Sequence, residues 1–198
     1  MNVSSVLAAA LLLQVGVPPQ LASFPAASTA LLEAASTVST LPGTTVLGYP
    51  VTGRDRRSIR ASMSEGRPAN AAGEKHDAVT FWRYEFDAAP FVDGQCRPDT
   101  IEVRSTVLIA LPDLVTRDQI SVRERADWDR YLVQLVSHES RHRQIAVEGG
   151  ERLREMMRAA PTCEAAQAIG AAESERIAQA SVAFDAETRH GATEGAVY

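Results

Sequence analysis

The sequence predicts an α+β domain: a small antiparallel β-sheet packed against a long antiparallel helical hairpin that carries a His-Glu-x-x-His zinc motif. Three observations predict it. Apolar residues recur at steps of three and four over residues 126–160, and period-two alternation marks 76–86 and 100–111. A short Pro161-Thr162 connection then separates the first helical stretch from a second, residues 163–189, so the two helices should lie antiparallel.

Residues 1–32 carry no charged side chain, and an apolar run over 6–17 stops at Pro18-Pro19. That length suits the core of a signal peptide and is too short to span a bilayer. We therefore expect residues 1–23 to be a signal peptide, cleaved near Ala22-Ser23 or Ala26-Ala27, and a mature chain that is periplasmic or extracellular and has no transmembrane segment. Residues 24–44 are rich in Ala, Ser, Thr and Pro and read as a linker or a poorly ordered N-terminus. Residues 45–196 are then one domain, which a chain of 198 residues with 45% hydrophobic content can support with a single core.

Within that domain, residues 46–51 form a short strand, 54–64 a helix after Gly53, and 66–74 a loop. In the two longer strands, Thr80, Trp82, Tyr84 and Phe86 share a face suited to packing on the helices, and Arg104 opposes the apolar face of Ile101, Val103, Val107 and Ile109.

In the first long helix the apolar stripe runs through Trp128, Tyr131, Leu135, Ile145, Gly149, Leu153 and Met156, and His138 and His142 fill its gap. Two core histidines satisfied by hydrogen bonds would explain a lone position; a pair four residues apart enclosing Glu139 points to metal chemistry. Residues four apart stack on one helix face, so both imidazoles can meet one zinc ion while Glu139 takes a proton from the water that zinc activates.

A third protein ligand must come from elsewhere. In a hairpin turning near Pro161, residues equally far from the turn lie at one height, which sets 181–185 beside the two histidines. His190 ranks first as third ligand and Asp185 second, the other serving as a hydrogen-bond partner of a liganding imidazole. Glu173 lies in the same stripe but too far down the hairpin.

The two cysteines, Cys96 and Cys163, are an even count in an exported chain and read as a possible disulfide closing a long loop, the alternative being two unrelated buried thiols. They lack metal-ligand spacing to one another.

Several motifs stand in one order: Tyr49-Pro-Val-Thr-Gly53, Ile59-Arg-Ala-Ser-Met63, Thr80-Phe-Trp-Arg-Tyr84, Cys96-Arg97, Leu111-Pro112 and Trp128-Asp-Arg-Tyr131. The stretch from His138 to His142, then Cys163, Phe184-Asp185 and His190-Gly-Ala-Thr-Glu-Gly195, completes the set. Over residues 49–196 the chain resembles a bacterial family with a domain of unknown function, described as predicted secreted Zn-dependent proteases. The resemblance implies a periplasmic or extracellular metal-dependent hydrolase with His138, Glu139, His142 and His190 at the family's motif positions. His76 stands where that family usually has an aromatic residue, and Phe184 where it has tyrosine.

Other classes fare worse. Acidic residues outnumber basic ones for a formal charge of −5, with the arginines spread along the chain, which argues against nucleic-acid binding. No Gly-x-Ser-x-Gly elbow supports a serine hydrolase. The expected function is a zinc metallopeptidase acting on a peptide or protein substrate, with one Zn²⁺, Glu139 as base, and His76, Arg104 or Tyr84 as oxyanion donor. The rival is a non-catalytic envelope or interaction domain whose metal is structural.

Overall fold

The computed structural model describes residues 21, 23–70, 72–86, 91–92 and 95–198. The apolar run over 6–17, read as a signal-peptide core, lies outside them. The architecture is α+β. Ten elements carry it: α1 (Thr29–Ala34), α2 (Ser36–Ser39), β1 (Thr44–Val51), α3 (Arg56–Gly66), β2 (Val79–Phe86), β3 (Phe91–Val92), β4 (Gln95–Cys96), β5 (Val103–Leu114), α4 (Val122–Arg158) and α5 (Cys163–Thr188).

The main sheet has the order β1-β5-β2. It is mixed, where a purely antiparallel sheet was expected: β2 pairs antiparallel with β5, but β1 pairs parallel with it from Thr44↔Val107 to Val51↔Leu114. The reason is the crossover through α3, which carries the chain from β1 past the central position so that the later strand β5 fills it, and parallel pairs require such a connection. Pro112 is tolerated in this central strand because β2 pairs only as far as Ala110.

Residues 24–44, read as a linker, contain α1 and α2 and bridge to the sheet through Ala26↔Leu47. Ser28 caps α1 and also binds the Asp113 carboxylate through its backbone N–H and its hydroxyl, both at 2.8 Å. Leu31, Ala35 and Val38, spaced by four and three, are buried in the main core. The Ala/Ser/Thr-rich composition hides this three-residue stripe.

The hairpin forms as expected. Ser121 caps α4 by accepting from the Glu124 N–H, and Thr162 caps α5 by accepting from the Ala165 N–H. A Cβ on Gly149 would fall 2.6 Å from Ile177, and one on Gly150 would fall 2.8 Å from Tyr84 Cε1, so α4 lies against α5 and the sheet at once. One face of β2 meets α4: the Tyr84 hydroxyl donates to the Ala146 carbonyl at 2.6 Å, and Phe86 joins Leu153, Met157 and Ile177 in one cluster. Its other face puts Val79 and Phe81 on Leu21 and Ala110. Cys96 and Cys163 are disulfide-bonded, their Cα atoms 6.1 Å apart across 67 residues, tying the turn end of the hairpin to the segment after β2. Among the described residues, no helix is long and apolar enough to cross a membrane.

Candidate metal centre

The site sits midway along α4, where the helix passes β2 and α5. His138, Glu139 and His142 are 3%, 3% and 5% exposed, so three polar side chains are buried and each needs partners. His138 Nε2 and His142 Nε2 lie 3.2 Å apart, and each is 3.1 Å from the same oxygen, Oδ1 of Asp185 on α5. The hairpin register explains this: residues counted equally from the Pro161 turn face one another.

The outer nitrogens are held as well. His138 Nδ1 lies 2.8 Å from Glu194 Oε2 and His142 Nδ1 lies 2.7 Å from Ser181 Oγ. A carboxylate only accepts, so His138 donates from Nδ1 to Glu194 and, without a metal, from Nε2 to Asp185; giving up the Nε2 proton leaves a lone pair directed inward while Nδ1–H stays on Glu194. Phe184 stacks on the same ring at 4.9 Å and 21°. On α4 itself, Glu139 Oε2 accepts from Thr80 Oγ1 at 2.6 Å, a bond that crosses from β2.

Electrostatics agree with a site built for positive charge. Burial works against the His138 imidazolium, yet hydrogen bonds to Asp185 and Glu194 outweigh it and raise the pKa above the ordinary 6.5. Burial alone would raise Asp185, but hydrogen bonds from His138 and His142 hold its carboxyl well below the usual range. The donor set of His138, His142 and Asp185, with all ligand atoms within 4.8 Å of one another, can hold a metal ion. Two imidazole nitrogens and one carboxylate oxygen suit zinc.

Asp185, ranked second as third ligand, is the residue brought to the pair, and His190, ranked first, stands one step out. Its Nδ1 is 3.4 Å from Asp185 Oδ1, and its side chain is 54% exposed. Arg189 and His190 both have left-handed backbone, φ 51° and 54°, so the chain leaves the helix axis just before His190 and turns its ring against His76, centroids 4.5 Å apart. His76 Nε2 in turn accepts from Asn70 Nδ2 at 3.2 Å.

A cavity of about 410 Å³ opens from this cluster. It is lined by every residue from Asp77 to Trp82. Side chains alternate across a strand, so a cavity touching four strand residues in a row, Val79 to Trp82, runs alongside β2. Of the three side chains considered for oxyanion stabilisation, His76 lines the cavity; Tyr84 spends its hydroxyl on Ala146.

Three residues of the site escaped the sequence reading. Ser181 fell inside the stretch 181–185 placed by register, but nothing marked it as a hydrogen-bond partner. Thr80 was assigned to core packing. Glu194 had one signal, its place between Gly191 and Gly195, both of which have positive φ.

No curated protein and no solved structure matches the chain. The family described as "Bacterial protein of unknown function (DUF922)" is matched over residues 47–191, a span holding all of the main sheet but the start of β1, the hairpin and the His138, His142 and Asp185 cluster, and the chain belongs to that family.

Proposed function

We propose that the chain is an exported zinc-dependent peptidase that hydrolyses amide bonds in peptides. One observation carries the reading: two imidazoles and a carboxylate converge on one point, beside the buried Glu139, in the wall of a cavity. His138, His142 and Asp185 would hold one Zn²⁺. When bound, zinc supplies Lewis acidity, bringing the pKa of water toward neutrality and polarising a carbonyl.

This chain's residues do the rest. Thr80 fixes Glu139 through Oε2, leaving Oε1 to take a proton from water as the water oxygen adds to the carbonyl carbon. The same proton passes to the amine nitrogen as the C–N bond breaks. His76 at the cavity wall donates to the carbonyl oxygen. An extended peptide suits a cavity that follows β2, a strand paired on one side with β5. Among the described residues three protein donors converge, and this supports a catalytic over a structural metal, because structural zinc sites are closed by four. The disulfide and the uncharged N-terminal run support export.

The test is zinc content by elemental analysis together with turnover of casein and a quenched-fluorophore peptide library. Glu139→Gln should keep zinc and lose turnover by orders of magnitude. Equal turnover in that variant removes Glu139 from the mechanism, and a wild-type protein that takes up no zinc after reconstitution favours the non-catalytic envelope or interaction domain.

A further inference from the structure

We propose that residues 191–198 act as a clasp that orients His138, with Glu194 as the positioning residue and Tyr198 as the anchor that holds Glu194 in place. The tail is built against the imidazole. A Cβ on Gly191 would lie 3.1 Å from His138 Cγ, so backbone without a side chain covers the edge of the ring near Nδ1. Glu194 closes the contact from the 3-10 turn Ala192–Glu194, its Oε2 at 2.8 Å from Nδ1. Forming this turn requires left-handed backbone at Arg189, His190, Gly191 and Gly195. For the two residues that are not glycine, such backbone is costly and persists only where surrounding contacts enforce it.

Those contacts lie further on. Tyr198 is 4% exposed, its hydroxyl donates to Glu124 Oε1 at 2.7 Å, and its ring packs on Trp128 and Tyr131 at 5.2 and 5.3 Å. Arg56 from α3 lies over the same ring at 5.3 Å. The tail thus runs back along α4 from His138 to Trp128, a helical distance of ~15 Å at 1.5 Å per residue. With Phe184 on its face, Gly191 at its edge and Glu194 on Nδ1, the imidazole has one orientation, and that orientation aims Nε2 at Asp185. A carboxylate on the far nitrogen of a liganding histidine fixes tautomer and ring angle, and losing it commonly costs about ten- to hundredfold in metal affinity.

The affinity readout rests on the metal reading above; a second readout does not. Zinc affinity would be measured by competition with a chromophoric chelator, and site geometry by the visible spectrum of the Co²⁺ form, for wild type, Glu194→Gln, Glu194→Ala, Tyr198→Ala and the double alanine variant. Glu194→Ala should bind zinc about ten- to hundredfold more weakly with an altered Co²⁺ spectrum. Glu194→Gln, whose amide oxygen still accepts from Nδ1–H, should fall between. Tyr198→Ala should weaken binding in the same direction, and the double variant should be no weaker than Glu194→Ala, because both changes break one contact. Wild-type affinity in Glu194→Ala, or full additivity in the double variant, overturns the clasp. In metal-free protein the His138 Nδ1 proton should exchange slowly in wild type and rapidly in Glu194→Ala. Equal exchange overturns the clasp even if wild type takes up no zinc, an outcome that by itself would count only against the metal.

Discussion

Alanine at position 149 should destabilise the protein, and should stop doing so once Ile177 is removed. A Cβ at Gly149 falls 2.6 Å from both Cδ1 and Cγ1 of Ile177, against 3.4–4 Å for ordinary contact. Ile177 is 1% exposed and packed with Tyr84, Leu153 and Met157, so it has no route toward solvent. Overpacking of this kind costs ~1–3 kcal/mol, while alanine in place of glycine recovers ~1 kcal/mol of helix propensity. Because two Ile177 atoms are struck together, the net loss should be about 1–2 kcal/mol, or a fall in Tm of about 2–8 °C for a chain of this length. Ile177→Ala removes the obstructing atoms at its own cost of about 2–5 kcal/mol. Adding Gly149→Ala to that background should then stabilise by ~1 kcal/mol. Urea and thermal melts of the four proteins in chelator give both signs. A stabilising Gly149→Ala in the wild-type background would falsify the close approach of α4 to α5 on which the hairpin register, and with it Asp185, depends.

Thr80→Val should leave zinc content unchanged and lower turnover about ten- to hundredfold, the worth of one hydrogen bond to a carboxylate, in assays on the same peptide library. Cys96→Ser should lower stability by about 4 kcal/mol, the loop-entropy value for a closed loop of this length, with little change in zinc affinity; a larger affinity loss than stability loss would contradict this. The pH dependence has two signs. His138 is raised above 6.5, so its contribution to metal-free stability is full below that pH and is lost as pH climbs through the raised value. Asp185 is depressed below 3.8, so its contribution is full above that pH and is lost as pH falls toward the depressed value. Zinc must displace the His138 proton, so the gain in Tm on adding zinc should grow from about pH 5 to about pH 8, and a gain that shrinks over that range would remove His138 from the ligand set.

The hairpin and its motif were legible because helical periodicity and a proline-bounded turn act locally, and equal counting from Pro161 carried Asp185 to the histidines. His190, ranked first, lies beside Asp185 and outside the group of His138, His142 and Asp185, because the chain leaves the helix axis through consecutive left-handed residues at Arg189 and His190, a turn that counting from Pro161 does not anticipate. The strand pairing of β1 escaped for a different reason. Alternation reports which face a residue occupies and says nothing of which strand it pairs with; that partner was set by the α3 crossover. Glu194 and Tyr198 are tertiary contacts across 56 and 74 residues, a separation at which one sequence offers no pattern.

Glu173 and Asp185 make the clearest argument for where a metal belongs. Both are acidic, both are on α5, and Glu173 is the more buried, at 5% against 28% side-chain exposure. Burial of a carboxylate therefore does not distinguish them. Partner chemistry does. Glu173 receives Arg152 Nε at 2.7 Å and both Arg176 Nη2 and Nε at 2.6 and 2.7 Å, so its oxygens face guanidinium groups that have no lone pair to offer. A cation placed there would meet two positive charges. Asp185 Oδ1 instead faces two imidazole nitrogens that can each present a lone pair once deprotonated, and among the described residues no arginine pairs with it. The same helix thus carries one carboxylate closed by arginine and one left to histidine, and a divalent cation can replace the proton only at the second.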